Sequence, residues 1–250
     1  MIRGPYDGVR NILRFNWPFY LAATIGVVVM SIGAALVDRP GVRSIFAAGA
    51  IGSVIGMVIT LGVSHLIYDR SDLYRFGWLD RALPGVTPQR AVFCQTGFDE
   101  TSALLARHLP ATSWTLLDHF DAARMTEPSI QRARRYCPPA AGTESAPSDA
   151  WPVAAASADL VFGMLAIHEL RSETERAAWC AEAHRVLRPG GRVLLVEHVC
   201  DAANVLAFGP GALHFHTPAS WQRSWERARL RKLDEFRVTP FVRVFVLGPQ

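Results

Sequence analysis

The first third of the chain is dominated by two long apolar stretches. Residues 17–37 form a run of 21 without a charge, and residues 45–67 form a second run of 23. As helices these runs reach about 31 and 35 Å, enough to cross a hydrocarbon core of about 30 Å. The short link at 38–43 leaves room only for a tight hairpin. We therefore predict a membrane anchor over residues 1–67, with transmembrane helices at about 17–37 and 45–67.

Arginine positions predict the orientation of this hairpin. Seven arginines lie before the first run or after the second, whereas the link carries only Arg39 and Arg43. Because basic flanking residues stay on the cytoplasmic side, both termini and the 90–250 region are predicted to be cytoplasmic, as in a bacterial inner membrane protein. A cleaved signal peptide at 1–37 and a buried hairpin in a soluble protein are the alternatives. A 21-residue apolar core is long for a signal peptide, and a second run follows at once.

Small residues recur along the second apolar run. Ala48, Gly52 and Gly56 are spaced four apart, which lets another helix backbone come close. The first run, with Gly26 and Gly33, is the nearest partner. Self-association between chains through the second transmembrane helix is the alternative.

From residue 90 onward, short apolar runs alternate with segments of helical periodicity. The predicted strands are 91–94, 113–117, 160–165, 192–196, 233–238 and 241–247, and the predicted helices are 99–109, 129–136, 173–187 and 221–228. This alternation predicts right-handed crossovers and a mostly parallel sheet, closed by an antiparallel C-terminal strand pair. The fold class is therefore α/β, a Rossmann-like doubly wound sheet preceded by a transmembrane hairpin.

Two connecting segments carry predictions of their own. Residues 68–89 form a juxtamembrane segment in which 71–81 has helical spacing, and this helix would lie at the membrane interface or cover one edge of the domain. Residues 137–150 are rich in Pro, Ala and Ser and predict a mobile loop.

Composition narrows the function classes. Half of the residues are apolar and 19% are charged, which excludes a disordered chain. The four cysteines include no C-x-x-C pair, so a disulfide scaffold and a zinc ribbon are disfavoured. The formal charge of +4 arises entirely within residues 1–90, and residues 91–250 balance to zero. We therefore expect no nucleic-acid partner.

Parallel sheets bind ligands outside the carboxyl ends of their strands. The polar residues that follow the predicted strands are 95–100, Asp118, His168 with Glu169, and 197–201. These positions are the candidates for a functional site.

Two blocks resemble a known family. Residues 184–197, HRVLRPGGRVLLVE, resemble the helix–turn–strand of class I S-adenosylmethionine-dependent methyltransferases, where Pro189 ends the helix and glycines turn the chain back into a strand. Residues 151–170, WPVAAASADLVFGMLAIHEL, match a second block of that family with Pro152, Asp159 and His168 in register. The resemblance covers residues 90–250. It extends to the small lipid and quinone methyltransferases and, more strongly, to a bacterial group that carries an N-terminal membrane hairpin.

The resemblance implies S-adenosylmethionine as the cofactor, bound over a glycine-rich turn after the first strand. Gly97 matches the first glycine of that turn, whereas Gln95 replaces the expected acid and Asp99 and Thr101 replace later glycines. Our hypothesis is that Asp99 or Glu100 takes over the contact with the cofactor's ammonium group. The alternative is that Asp99 caps the following helix.

The resemblance also implies two further cofactor contacts. Asp118 ends the second strand, where the family places the acid that accepts both ribose hydroxyls. Asp149 is placed near the adenine.

His168 and His198 are the candidate catalytic residues, because each follows a strand in the middle of the sheet. Methyl transfer to an oxygen or carbon requires a base that removes a proton. A divalent metal site and a purely structural role are the alternatives for these histidines, and no metal ligand is assigned from the sequence.

Two functions follow from these observations. The first is a membrane-anchored methyltransferase that acts on a lipophilic small molecule such as a quinone, phospholipid or isoprenoid, with the lipid bilayer as its other partner. The second is a catalytically silent scaffold or accessory protein with the methyltransferase fold, which the altered glycine turn would favour.

Overall fold

The computed structural model describes residues 3–250 and contains one seven-stranded sheet in the order β3-β2-β1-β4-β5-β7-β6. The strands are β1 Arg90–Gln95, β2 Ser113–Asp118, β3 Thr143–Ser145, β4 Ala158–Met164, β5 Leu187–His198, β6 Leu230–Thr239 and β7 Val242–Pro249. Strands β1 to β5 pair in parallel, whereas β7 is antiparallel to both β5 and β6. The predicted fold class is confirmed.

Eight α-helices accompany these strands within the described part of the chain. They are α1 Asp7–Leu36, α2 Pro40–His65, α3 Leu79–Ala82, α4 Ser102–His108, α5 Pro128–Tyr136, α6 Glu173–Val186, α7 Ala202–Phe208 and α8 Pro218–Arg227. Short 3₁₀ turns at Ile167–Glu169 and Gly209–His214 follow β4 and α7. Helix α7 was not predicted, because its seven residues are too few to show a period.

Alternate strand residues face opposite sides of the sheet, and each side has its own hydrophobic core. Cys94 and Val161 lie in the core beneath α6 and α8, whereas Phe93 and Phe162 lie in the core on the other face. Both faces are covered, as expected for a parallel sheet with apolar strands.

The segment between the hairpin and β1 covers that second face. Leu73, Phe76 and Trp78 are buried there, and the Trp78 ring stacks on Phe162 with ring centroids 6.1 Å apart. The predicted helix over 71–81 is wrong: Phe76 has a φ of 60°, which a right-handed helix does not allow, and only α3 is helical. Packing of these apolar side chains on the sheet outweighs their helical spacing.

The predicted loop at 137–150 contains strand β3. Its three residues pair in parallel with Leu116, Leu117 and Asp118 at the end of β2. A strand this short shows no hydrophobic alternation in the sequence. It is extended because its backbone pairs with the end of β2. The prediction of an unstructured loop is wrong at these positions.

The N-terminal hairpin consists of α1 and α2. Helix α1 and the helical stretch Pro40–Arg70 are long and apolar enough to cross a membrane, and their most apolar windows are 0% and 6% buried. Helix α1 starts ten residues before the predicted span and bends where Asn16 is non-helical and Pro18 lies inside the helix. The part before the bend contacts the α/β domain, and the part after it is exposed and apolar.

The two helices approach each other through glycines. A Cβ atom at Gly49 would lie 2.7 Å from Sδ of Met30, and one at Gly33 would lie 3.1 Å from the ring of Phe46. Cβ atoms at Gly52 and Gly56 would have no heavy atom within 4 Å. The predicted small-residue face therefore points away from α1.

The ends of the hairpin are joined by one carboxylate. Asp69, just after α2, accepts hydrogen bonds from the backbone N–H groups of Gly8 at 2.7 Å and Val9 at 3.1 Å, at the start of α1. A carboxylate at a helix N-terminus stabilises the unpaired N–H groups there. The first turn of α1 is thereby fixed beside the α/β domain.

Candidate functional site

The carboxyl ends of β1, β2, β4 and β5 lie at one edge of the sheet, as the parallel arrangement requires. Gln95 and Asp118 are paired in register at the ends of β1 and β2. The Thr96 hydroxyl donates to the carbonyl of Ala166 at 2.9 Å and so joins the turn after β1 to the turn after β4. The predicted site residues are gathered along this edge.

Gly97 makes the turn after β1. Its φ of 100° is in the region that favours glycine, and a Cβ atom there would lie 2.9 Å from the ring of Phe120. Gln95 replaces the acid expected at this turn, and its Oε1 accepts a hydrogen bond from the Gly97 N–H at 3.1 Å. The Gln95 Nε2 amide is buried and lacks a hydrogen-bond partner among the described residues.

The two acids after this turn are both engaged. Asp99 caps α4, because its carboxylate accepts from the backbone N–H groups of Thr101 and Ser102 at 2.9 and 2.8 Å. Glu100 accepts from the Tyr74 hydroxyl at 2.6 Å and forms an ion pair with Arg3. The geometry therefore matches the capping alternative for Asp99 rather than a free ammonium ligand.

Asp118 is 3% exposed at the end of β2. One of its oxygens accepts from the Phe120 N–H at 3.0 Å, and the other is paired with Arg134 of α5. The Arg134 guanidinium lies over the ring of Phe120, 4.5 Å from its centroid. This partner arginine was not predicted, because the sequence showed only that α5 is basic.

A cleft of about 670 Å³ opens beside these residues. It is lined by segments that follow β2, β3 and β4, and it includes His119, Asp149 and Glu169. Asp149 is exposed and also lines a neighbouring depression of about 560 Å³. The position of Asp149 on the cleft wall is compatible with its predicted place near a bound adenine.

His119 was not predicted, although it directly follows Asp118. Its Nδ1 bonds the carbonyl of Ala146 at 2.9 Å and its ring stacks on Trp151, with centroids 5.4 Å apart. Burial lowers the pKa of His119, so the ring is neutral and its Nε2 is an acceptor. That Nε2 is buried without a hydrogen-bond partner in the part of the chain that the structure describes.

His168 lies in the 3₁₀ turn after β4 and is oriented by a buried acid. Its Nδ1 bonds Oε2 of Glu197 at 2.7 Å, and Glu197 is fully buried at the end of β5. The other Glu197 oxygen accepts from the backbone N–H groups of Ala166, Ile167 and His168 at 3.1, 2.8 and 3.3 Å. Burial alone would lower the pKa of His168, but the charge and hydrogen bond of Glu197 raise it.

Three further side chains extend this cluster toward the cleft. His168 Nε2 lies 3.6 Å from Oε1 of Glu169, and Nε2 of His214 lies 3.5 Å from the same oxygen. His214 Nδ1 bonds Oε1 of Glu127 at 3.1 Å, and the hydrogen bonds to Glu127 and Glu169 raise the pKa of His214 to about 9. Glu127 precedes α5, and no sequence pattern indicated its approach to His214.

His198, the second predicted catalytic residue, is 2% exposed on the opposite side of β5. Its Nδ1 donates to the carbonyl of Phe241 at 2.9 Å, and its Nε2 accepts from the Tyr68 hydroxyl at 2.8 Å. Burial lowers the pKa of His198 to about 4, so the ring is neutral. The structure therefore leaves neither nitrogen of His198 free for a substrate.

The residues present fit the nucleoside half of S-adenosylmethionine. A ribose diol requires a carboxylate, which Asp118 provides, and the adenine requires a cleft, which opens beside it. Gln95 Nε2 and His119 Nε2 leave one unpaired donor and one unpaired acceptor at the ends of β1 and β2. A polar ligand bound between these strand ends would satisfy both atoms.

The α/β region of the chain is similar to known proteins. Residues 104–195 match the family model described as a methyltransferase domain. A SAM-dependent methyltransferase from Aquifex aeolicus superimposes with a TM-score of 0.52 at 14% identity, covering 72% of this chain and 93% of that chain. A putative type 11 methyltransferase from Sulfolobus solfataricus has a TM-score of 0.46 at 15% identity, covering 69% and 90%. No curated protein matches significantly. The α/β region of this chain therefore has the fold of the class I S-adenosylmethionine-dependent methyltransferases.

Proposed function

We propose that the protein is an S-adenosylmethionine-dependent methyltransferase, anchored in a membrane by α1 and α2, that methylates a lipophilic small molecule such as a quinone, phospholipid or isoprenoid. The methyltransferase domain match and the shared fold support the reaction class and the cofactor. The substrate class and the anchoring are supported by the contacts of the hairpin with the carboxyl edge of the sheet and by its exposed apolar surface.

The observation that carries the proposal is the contact of the hairpin with the carboxyl edge of the sheet. The Phe15 ring packs edge-on against Phe98, one residue after the Gly97 turn, with centroids 5.2 Å apart. On the other side of the edge, the Thr60 hydroxyl donates to the carbonyl of Ala207 at 3.0 Å. The hairpin thus contacts segments on both sides of the candidate site.

Beyond these contacts the hairpin is an apolar surface. Its most exposed apolar side chains include Phe19, Leu36 and Ile45, which are 68%, 75% and 72% exposed. A water-soluble monomer rarely leaves so long an apolar surface uncovered, whereas a bilayer covers it. A core hairpin of a soluble domain would be buried, and these helices are not.

The segment next to α2 provides an apolar approach to the site. Leu206 of α7 and Leu213 of the following 3₁₀ turn are 81% and 73% exposed, and Leu213 directly precedes His214. A lipophilic acceptor that leaves the bilayer along α2 would meet these leucines before the histidines. Anchoring raises the effective concentration of the enzyme against such a substrate.

Residues of this chain then take three parts in the proposed reaction. Bound S-adenosylmethionine supplies an electrophilic methyl group. Asp118 accepts the ribose hydroxyls, and the Gly97 turn lets the backbone approach the cofactor. We assign His168, rather than His198, to the acceptor, because Glu197 fixes its Nδ1 and leaves its Nε2 directed toward the Glu169–His214 side.

The experiment is a methyl-transfer assay on the full chain in vesicles made from a bacterial total lipid extract. With S-adenosylmethionine labelled in its methyl group, we expect label to enter the organic phase. His168→Gln removes the imidazole that lies beside Glu169 on the cleft wall and should lower the rate at least about 100-fold.

His184→Asn is the matched control, because His184 lies on α6 away from the cleft; it should retain the wild-type rate. Equal rates in both variants would contradict the assignment of His168. Cofactor binding without any label transfer would contradict the lipophilic acceptor, and no cofactor binding at all would favour the silent scaffold.

A further inference from the structure

We propose that His168, Glu169 and His214 bind a divalent transition-metal ion of the zinc type on the wall of the cleft. One ligand atom from each of the three side chains lies within 4.8 Å of the other two. The distances from Glu169 Oε1 to the two Nε2 atoms are 3.6 and 3.5 Å. Ligands of a tetrahedral zinc ion with bonds of about 2.0–2.1 Å are about 3.3 Å apart, so small side-chain rotations would complete the site.

The orientation of both imidazoles is the strongest argument. The Nδ1 atom of His168 is bonded to Glu197 and that of His214 to Glu127, at 2.7 and 3.1 Å. A carboxylate on Nδ1 leaves Nε2 to coordinate, and metal-binding histidines usually have such a partner. Two carboxylate–histidine pairs therefore converge on one carboxylate oxygen, which a simple ion pair does not require.

The cluster combines residues from separate segments of the chain, and hydrogen bonds from Glu197 and Arg171 fix the backbone that carries its histidines. Leu165 has a φ of 52°, an uncommon conformation for a branched side chain, and the turn it starts is held by the three N–H bonds to Glu197. Arg171 donates to the carbonyls of both His168 and His214, at 3.2 and 2.5 Å. Strained backbone that is held by several hydrogen bonds is typical of functional sites.

The donor set selects the metal. Two imidazole nitrogens and one carboxylate suit zinc and similar first-row ions, whereas magnesium and calcium prefer oxygen ligands throughout. Three protein ligands leave a fourth position open, which is the arrangement of catalytic rather than structural zinc sites. The side chains of His168, Glu169 and His214 are 11%, 15% and 24% exposed, so an ion can enter while most of the site stays sheltered.

Glu169 also lines the cleft, so the open position is accessible to a ligand there. A hydroxyl or enol oxygen of the acceptor would fit it, since a bound metal ion lowers the pKa of an oxygen ligand. With the ion bound, Nε2 of His168 is a ligand, and His168 then acts on the acceptor through the ion rather than directly. This consequence rests on the proposed function, whereas binding of the ion does not.

The test uses the full chain in detergent, without a polyhistidine tag and after dialysis against a chelator. Zinc is titrated in competition with a chromogenic chelator, and cobalt(II) is added separately to record its visible absorption. We expect one zinc ion per chain and the intense absorption of four-coordinate cobalt. His214→Asn and Glu169→Gln should weaken zinc binding at least about 100-fold, and Glu127→Gln about 10-fold.

His184→Asn is again the control and should bind zinc like the wild type. Circular dichroism establishes that each variant is folded. If the wild type binds no stoichiometric zinc, or if His214→Asn and Glu169→Gln bind it equally well, the proposal is wrong and the cluster is an ion-pair network. Titration with S-adenosylmethionine on the same samples separates this result from a failure of the proposed methyltransferase function.

Discussion

The two halves of the carboxyl edge use their carboxylates in opposite ways. At the ends of β1 and β2, the acids bind protein groups: Asp99 caps α4, Glu100 pairs with Arg3, and Asp118 pairs with Arg134. In the other half, two acids instead bond histidines: Glu197 at the end of β5 bonds His168, and Glu127, which precedes α5, bonds His214. The acids of the first half therefore fix backbone N–H and guanidinium groups, whereas those of the second half fix the orientation of imidazole rings.

This difference shows why a residue's place in a motif does not determine its role. Asp99 and Asp118 both lie at the carboxyl edge, yet two backbone N–H groups occupy the carboxylate of Asp99. The carboxylate of Asp118 accepts one backbone N–H and is paired with the side chain of Arg134. His168 and His198 also lie at the ends of adjacent strands, but both ring nitrogens of His198 are hydrogen-bonded to other protein groups. Nε2 of His168 instead lies beside Glu169, which lines the cleft.

Removal of Glu197 should produce the largest change. Glu197→Ala leaves three buried N–H groups and the His168 imidazole without an acceptor, and we expect the free energy of unfolding to fall by about 3–5 kcal/mol. The measurement is urea unfolding of the purified chain, followed by tryptophan fluorescence.

Asp234→Ala is the matched control, because its ion pair with Arg81 is exposed and should contribute less than about 1 kcal/mol. A loss for Glu197→Ala no larger than for Asp234→Ala would show that the His168 turn does not depend on the buried acid.

Acid should destabilise the folded protein through His198. The pKa of His198 is about 4 in the folded protein, below the value of about 6.5 in an unfolded chain. The unfolded state therefore binds more protons as the pH falls, and stability that is present above pH 6.5 is lost toward pH 4. Between pH 7 and pH 5 we expect a loss of about 2 kcal/mol from this residue.

His198→Asn retains a donor for the Phe241 carbonyl but cannot titrate, so its stability should fall less over the same pH range. His216, whose pKa is also lowered to about 4, remains in both proteins, so the comparison isolates His198. Parallel pH profiles for wild type and variant would show that His198 is not the buried neutral group described here.

Much of the fold was predictable because strands such as β4 and β5 are continuous apolar runs, and a parallel sheet requires them to be buried. Helix α7, strand β3 and the 71–81 segment were missed or wrong, since each is too short or too strongly shaped by packing on the sheet to show its own period. The sequence placed Gly97, Asp118, His168 and His198 near strand ends, and the structure has them there. Asp149, predicted near the adenine, lies on the wall of the cleft.

The remaining features of the site depend on contacts between distant segments. Arg134 reaches Asp118 from α5, Tyr68 reaches His198 from the end of the hairpin, and Glu127 reaches His214. No local pattern encodes such pairs. The contact with Tyr68 occupies the second ring nitrogen of His198 and so excludes it as a base. Sequence spacing does not show this contact, which is why both His168 and His198 were candidates.

The most direct test of the account is calorimetric titration of S-adenosylmethionine into the full chain in detergent or nanodiscs, comparing Asp118→Asn with Arg134→Gln. If Asp118 binds the ribose, Asp118→Asn should weaken binding at least about 10-fold, whereas Arg134→Gln, which frees that carboxylate, should bind as well as the wild type or better. Asp99→Ala should bind like the wild type while losing about 1 kcal/mol of stability with its helix cap. Equal effects of the Asp118 and Arg134 substitutions, or no binding to folded wild-type protein at millimolar cofactor, would contradict the account.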